Sequence, residues 1–318
     1  MTREAAGRGE DALQAGKSQR RPEWLKIRLR TDGTFRHVRS MVSELSLNTV
    51  CTEARCPNIY ECWNAGTATF MILGETCTRR CGFCSVNSGR PRPGVDPEEP
   101  RHVAEAVGRL GLRHAVITSV DRDDLPDGGA GHFRDVILVI RERVPTCAVE
   151  VLTPDFKNKN DALDLVLNAA PDVFAHNVET VPRLYRAARP GSRYEGSVDV
   201  LADAVRWRDA RASELRVKSS LMLGLGETDD EVVDVLRDLR RAGVDVVTLG
   251  QYLQPTRDHL PVDRFVRPEQ FDRLANVGRE MGFVHVEAGP LVRSSYHAER
   301  HRPDPPDKGS RQPIRIGE

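Results

Sequence analysis

From residue 67 to residue 249 the chain alternates short apolar runs with amphipathic helical patterns, and no hairpin signal joins one run to the next. The runs fall at 68–73, 114–119, 148–152, 173–176, 217–223 and 246–249, punctuated by Gly, Pro, Asp and Asn. Helical spacing fills the gaps at 103–110, 131–143, 162–168, 198–211 and 231–242. Within 229–241, Val232, Val233, Leu236 and Leu239 recur at helical spacing and Gly243 sits where a stop belongs. Six such alternations imply a parallel sheet, because parallel neighbours can be joined only through a crossover. About 180 residues is too short for a complete eight-fold barrel. The expected fold is therefore α/β, a partial (β/α)6 barrel with N- and C-terminal extensions. A seventh strand is expected at 283–287, after a helix over 268–281.

This reading divides the chain into a disordered tail at 1–20, an N-terminal extension at 21–66 and the barrel at 67–282. A C-terminal strand with an Arg-Ser-Ser-Tyr segment follows at 283–299, then a second disordered tail at 300–318, rich in Pro, Arg and Asp. A hydrophobic content of 39% supports a real core, and Lys+Arg and Asp+Glu both total 47. The missing basic excess argues against a nucleic-acid partner. The basic pairs at 20–21, 79–80 and 240–241 read as solvated faces. No apolar run approaches the ~20 residues of a membrane span, so no membrane partner is expected. The first twenty residues lack a signal-peptide core, and Glu4, Glu10 and Asp11 argue against a transit peptide. Clustered, reduced cysteines without an export signal indicate a cytoplasmic protein.

Six of the seven cysteines lie between Cys51 and Cys84, in two triplets: Cys51, Cys56 and Cys62, then Cys77, Cys81 and Cys84. Disulfide frameworks belong to small secreted domains, which this chain does not resemble. Thiolates grouped this tightly hold soft metal. A closed structural zinc or an electron-transfer cluster takes four protein ligands. Three thiolates on a four-iron cluster leave one iron open for chemistry. The second triplet directly follows the first strand, at the C-terminal edge where such folds place their sites. Ser119 and Asp121, Asn177 and Glu179, the stretch 224–227 and the stretch 250–252 end other strands on the same face.

The spacing C-x3-C-x2-C in CTRRCGFC, with Phe83 before the last cysteine, resembles the signature of the radical S-adenosylmethionine superfamily. The resemblance implies a [4Fe–4S] cluster on Cys77, Cys81 and Cys84. Its open iron would chelate the amino and carboxylate groups of S-adenosylmethionine, and one electron would release a deoxyadenosyl radical. The upstream CTEARCPNIYEC, with RPEWLKIRL, GTATFMILG, TSVDRDDL, DGGA, LGQYLQP and VRSSYHAE, resembles the lipoyl synthase family over residues 21–299. That family implies a second [4Fe–4S] cluster on Cys51, Cys56 and Cys62 with Ser295 as fourth ligand, a cluster sacrificed as the sulfur source. It implies insertion of two sulfur atoms at the sixth and eighth carbons of a protein-bound octanoyl group. The carriers would be lipoyl domains of 2-oxoacid dehydrogenase complexes and the glycine cleavage H protein. A flavodoxin or ferredoxin would supply electrons, and an iron–sulfur carrier protein would rebuild the second cluster.

Strand-end geometry makes Asn177 and Glu179 candidates for the ribose hydroxyls of S-adenosylmethionine and Ser119 and Asp121 candidates for its methionyl part. The stretch Asp121 to Asp124 could instead be a capped, solvated turn. The 224–227 stretch lacks the third glycine and distal acid of a dinucleotide fingerprint; the superfamily resemblance implies a turn near the adenine or ribose. Cys147 reads as a small buried hydrophobe, and His176 and His285 as packing or hydrogen-bonding residues. Two rival functions remain at this point. A radical methylthiotransferase should carry a larger N-terminal domain and a C-terminal RNA-binding module. A non-catalytic iron–sulfur or zinc protein would do no chemistry at all.

Overall fold

The computed structural model describes residues 20–26, 40–41, 44–45, 47–50, 56, 58–64, 67–159 and 161–303. Cys51 and both expected tails up to residue 19 and from residue 304 lie outside the described residues.

Eight strands form one sheet. In chain order they are β1 (Asn48–Thr49), β2 (Thr67–Ile72), β5 (His114–Ser119), β6 (Ala148–Leu152), β7 (Val173–Ala175), β8 (Arg216–Leu223), β9 (Val246–Gln251) and β10 (His285–Gly289), paired in that same spatial order. All pairs are parallel except β1 on β2. Between β2 and β5 a two-stranded ladder joins β3 (Thr76–Cys77) to β4 (Asn87–Ser88). The helices are α1 (Ile59–Asn64), α2 (Glu99–Arg109), α3 (Ala130–Arg143), α4 (Ala162–Asn168), α5 (Tyr185–Ala188), α6 (Tyr194–Ala210), α7 (Asp229–Arg241) and α8 (Pro268–Glu280). The six expected strands and the seventh are present, and β1 and β10 end the sheet without pairing to each other. The barrel is therefore partial.

The core lies between the sheet and its helices. Phe70 and Ile72 of β2, Ile117 of β5, Phe133, Val136 and Ile140 of α3 and Leu236 and Leu239 of α7 are all buried. Alternate strand residues face the barrel interior instead, and there the sequence turns polar. Lys218 donates to Glu150 at 2.7 Å, and His114 lies 3.2 Å from the same carboxylate; all three are essentially inaccessible to solvent. Burial opposes ionisation of Glu150, yet Lys218 and His114 hold its carboxyl below the ordinary range.

α7 starts on a capping box: Thr228 accepts from the Glu231 amide and the Glu231 carboxylate accepts from the Thr228 amide. α3 starts on Asp127, whose carboxylate accepts from the amides of Gly129 and Gly131.

Residues 291–301 cross from one edge of the sheet to the other. Arg293 donates to the Gln251 carbonyl on β9 at 3.1 Å. Thr69 and Thr67 of β2 donate to Ser295 and Glu299, at 3.0 and 3.2 Å. The segment spans the gap that the missing strands would fill. The expected tail boundary at 300 falls too early: His301 is only 2% exposed, and its ring packs on His285 with centroids 4.7 Å apart. The Pro- and Arg-rich composition hid a residue that plugs the barrel.

Lys218→Ala strands a buried carboxylate, and loss of one partner of a buried pair costs about 3–5 kcal/mol. Denaturant unfolding should show that loss, and Lys218→Met with Glu150→Gln should recover part of it. An unaltered midpoint for Lys218→Ala would show that Glu150 is neutral in the folded protein.

Candidate active site

The loop after β2 is built to expose thiols at the C-terminal edge of the sheet. The Thr78 amide donates to the Asp121 carbonyl at 3.0 Å, and the amides of Asp121 and Arg79 point at the Cys77 sulfur at 3.3 and 3.4 Å. Gly82 holds the next turn. Its amide donates to Ala188 at 2.8 Å, and its carbonyl accepts from Leu260 at 2.9 Å. A Cβ at Gly82 would meet the Ala187 carbonyl at 2.8 Å and Leu260 at 2.9 Å, so any side chain would push the loop out. His259 reaches the Cys84 carbonyl at 2.8 Å.

Arg79 ties the loop down. Its guanidinium binds both oxygens of Asp123, at 3.0 and 2.8 Å, and both of Asp155, at 3.0 and 2.6 Å. Asp121 lies 3.4 Å away. Two forks of this kind bind the cysteine loop to the ends of β5 and β6 with fixed geometry. Against the opposing push of burial, Arg79 pulls the Asp155 carboxyl down to about 2. The solvated-face reading of the 79–80 pair therefore fails for Arg79, which is 7% exposed, and holds for Arg80, which is exposed. The solvated-turn reading of 121–124 fails too. Asp121 and Asp123 face Arg79, and Arg122 is buried against the Leu73, Arg92 and Gly94 carbonyls.

All three thiols face Asp121, and Cys81 and Cys84 also face Glu179. Burial, then the Asp121 carboxylate, pushes Cys77 up to about 11. Burial pushes Cys81 up to about 12 and raises Cys84, with Arg189 opposing the shift at Cys81. Thiols held this high need a strongly cationic partner to ionise, which is what an iron cluster provides.

Ser119 and Asp121 stand at the end of β5, and Asn177 and Glu179 at the end of β7, on either side of β6; Asp121 and Glu179 both bear on the thiols. Glu179 has φ +68 and links to β8 through the Ser220 carbonyl and the Met222 amide. Asn177 donates to it at 3.1 Å, and Arg189 holds the Asn177 carbonyl at 2.8 Å. Burial raises the Asp121 and Glu179 carboxyls, so this face disfavours unpaired negative charge. Ser119 Oγ and Asn177 Oδ1 are buried without a hydrogen-bond partner in the protein, and Asp121 Oδ1 has only the ion pair with Arg79 at 3.4 Å. Leaving such atoms unpaired costs about 1–3 kcal/mol each. Three thiols beside polar atoms in want of partners fit a cluster with a polar, cationic small molecule against it.

The 224–227 turn is held by Glu227, whose carboxylate accepts from the amides of Gly224 and Leu225 at 2.6 and 2.9 Å. Gly224 has φ +100 and faces the Arg264 carbonyl at a distance no Cβ tolerates. Cys147 is fully buried, as expected.

A second group of residues meets at the seam. Cys56 precedes α1, and Cys62 lies on it. Asn58 donates to the Leu291 carbonyl at 2.5 Å, and Tyr296 donates to Glu61 at 3.1 Å. Arg293 lies beside Cys56, and the Tyr296 phenol faces Cys62. The two described cysteines of the first triplet therefore pack against the segment carrying Ser295. Arg79, Asp155, Arg189 and Arg293 were missed by the sequence reading. Arg79 carried a signal in its place between two cysteines of one loop, and Arg293 in its place in the Arg-Ser-Ser-Tyr segment.

The fold and the cysteine loop define a radical S-adenosylmethionine enzyme: the sequence model of the radical SAM superfamily matches residues 71–251. Solved structures share the fold, among them the [FeFe]-hydrogenase maturase HydG (TM-score 0.53, 14% identity, 86% of this chain and 72% of that one). Streptococcus suis SuiB is a second (TM-score 0.54, 10% identity, 80% of this chain and 52% of that one). The model for the N-terminal domain of lipoyl synthase matches residues 2–56. Lipoyl synthase from Rubrobacter xylanophilus is 56% identical over 89% of this chain and 87% of its own length. The Thermus thermophilus enzyme is 56% identical over 88% and 86%.

This chain belongs to the lipoyl synthase family. It is a sulfurtransferase that uses S-adenosylmethionine and [4Fe–4S] clusters and acts on octanoyl groups carried on protein. Among the described residues no helix is long and apolar enough to cross a membrane.

Arg79→Lys keeps the charge and loses the planar forks. A shift of a positioned group by about 1 Å can cost about 100-fold, so deoxyadenosine formation should fall by about tenfold or more. Arg80→Lys should change little. Deoxyadenosine yield and iron content per chain, measured for both variants, check this; equal yields would remove Arg79 from the positioning of the loop.

Proposed function

We propose that this chain forms the lipoyl group at two centres, one on each side of the barrel interior. Cys77, Cys81 and Cys84 hold the radical-generating cluster. Cys51, Cys56 and Cys62, with Ser295, hold the auxiliary cluster. When bound, the first supplies the electron that splits S-adenosylmethionine into a hydrogen-abstracting radical, and the second supplies the sulfur placed at the sixth and eighth carbons of the octanoyl chain. The observation that carries this reading is the packing of α1 against residues 291–297, which brings Cys56 and Cys62 to the Ser295 segment.

The protein's own residues do the positioning. Asp121 and Ser119 offer acceptors to the methionyl ammonium, and Asn177 and Glu179 to the ribose hydroxyls. Burial raises both carboxyls, and a cation beside Asp121 would offset that burial, while Glu179 is held by the Asn177 amide. Arg79 and Gly82 fix the loop so that the thiols need not reorganise. Arg293, beside Cys56, favours its thiolate. Ser295 accepts from Thr69, so its oxygen is already oriented at the seam. A hydroxyl oxygen is a hard ligand on a cluster that prefers sulfur, and its bond to iron should be the first to release.

The carriers are lipoyl domains of 2-oxoacid dehydrogenase complexes and the glycine cleavage H protein, the reductant a flavodoxin or ferredoxin, and the auxiliary cluster is rebuilt by an iron–sulfur carrier in the cytoplasm. The 21–66 and 283–299 segments act together as the auxiliary unit on a barrel at 67–282.

Cys81→Ala should abolish deoxyadenosine formation and keep the auxiliary iron. Cys56→Ala should keep deoxyadenosine formation and yield no lipoyl product. Mass spectrometry of an octanoylated peptide, beside nucleoside and iron assays, reads both. Normal lipoyl formation by Cys56→Ala would remove the sulfur-donor assignment.

Ser295→Ala should reduce or abolish product and make the auxiliary cluster labile. Ser295→Cys should retain the cluster and slow product formation, while Ser294→Ala should act weakly. Single-turnover yield beside iron content decides, and loss of the cluster in Ser294→Ala alone would move the ligand by one residue.

A further inference from the structure

Away from both cysteine groups, His285 and Glu287 of β10 and His301 of the C-terminal segment meet where that segment ends. One ligand atom from each lies within 4.8 Å of the other two. His285 Nε2 is 3.2 Å from the Glu287 carboxylate. His301 is 2% exposed, and neither of its ring nitrogens has a hydrogen-bond partner. Burying an imidazole with both nitrogens unpaired is costly, and native structures rarely tolerate it without an unseen partner. The His285 and His301 rings are tilted by 52° rather than stacked flat. The pair is therefore not accounted for as parallel ring stacking.

We propose that His285, Glu287 and His301 bind one divalent transition-metal ion of the zinc type. Two imidazoles and one carboxylate form a three-ligand set that suits zinc and leaves a position for water. The His285 and Glu287 side chains are 29% and 20% exposed, so an ion has a path in. Contraction of the three atoms by about 1 Å would bring them to the spacing that metal–ligand bonds of about 2.0–2.2 Å require. Lys218 is the cationic neighbour of His301 that opposes an ion. Glu150 already pairs with both Lys218 and His114, which lowers that opposition.

The ion would staple residues 290–301 to β10. Glu287 and His301 bracket Ser295 in the chain, so a shared metal closes the loop that carries it. Such a clip restricts the loop most where the segment has no ladder of its own. Among the described residues the 291–301 segment belongs to no strand, and side-chain bonds hold it to β2 and β9.

The test uses holoenzyme with both clusters rebuilt anaerobically, stripped of loose metal and titrated with zinc sulfate alone. One zinc ion should be retained per chain, with iron content unchanged. Zinc X-ray absorption should show nitrogen and oxygen at about 2.0–2.1 Å and no sulfur at about 2.3 Å. His285→Gln and Glu287→Gln change partly exposed residues and should leave the barrel folded. Each should weaken zinc binding by about 10–100-fold or more, at least the cost of losing an outer-shell partner. Zinc should raise the thermal midpoint of the parent protein and not of these variants. No retained zinc, sulfur in its shell, or equal retention by both variants would overturn the proposal.

Discussion

An open parallel sheet leaves its two edges unjoined, and the covering of that gap by residues 291–301 is the constraint on which the rest of this molecule depends. Among the described residues no strand joins β1 to β10, so the interior would face solvent between those edges. That interior holds Lys218, Glu150 and His114, whose pairing is strong only while water is excluded. The covering segment is fixed by side chains rather than by a strand ladder: Thr67, Thr69 and Asn58 on one side, the Gln251 carbonyl on the other. Ser295 is carried there without being locked in a sheet. The same contacts bring α1 and its cysteine to the gap, so closing the barrel also brings Cys62 to the segment that carries Ser295.

Around the cysteine loop that follows β2 the problem is electrostatic. Three thiols, Asp121, Asp123, Asp155 and Glu179 are gathered around one loop, all negative when ionised. Two buried guanidiniums, Arg79 and Arg189, are set among them. Arg79 is consumed by Asp123 and Asp155 and so serves geometry. Arg189 donates to the Asn177 carbonyl, Tyr185 and Ser197, and its charge opposes the rise of Cys81 and Glu179. The thiols remain high despite both, which makes cluster assembly and thiol ionisation mutually dependent. A loop with this balance is rigid before its metal arrives, because the Arg79 forks and the Gly82 contacts need no metal to form.

The fold was legible because periodicity is local. Val232, Leu236 and Leu239 announce their helix, and all three are buried against the sheet. The cysteine triplets were legible because their spacing is chemical. What stayed hidden depends on contacts far apart in the chain. Arg79 meets Asp155 across 76 positions, and nothing in a basic pair tells which arginine turns inward. Ser295 meets Thr69 across 226 positions, and only likeness to a family pointed to it. His301 sits in a stretch whose composition reads as a tail, and burial of one histidine leaves no trace in composition. Three-dimensional proximity of polar residues is set by topology, and topology was available only as a class.

The two centres also explain why one chain carries both hard and soft chemistry. Radical formation needs a site whose members do not move, since the reacting carbon must meet the radical before solvent does. The forks of Arg79 and the left-handed Glu179 are of that kind. Sulfur donation needs the reverse, a cluster that can lose a ligand during the reaction. The proposed ligand set spans two segments joined by the Asn58–Leu291 and Tyr296–Glu61 bonds, and Ser295 itself is held by one neutral hydrogen bond from Thr69, worth about 0.5–1.5 kcal/mol. Charge-assisted bonds on the radical side are each worth about 1.5–3 kcal/mol. The difference places stiffness at the strand ends and release at the seam, and the barrel between them lets each respond to its own chemistry without loosening the other.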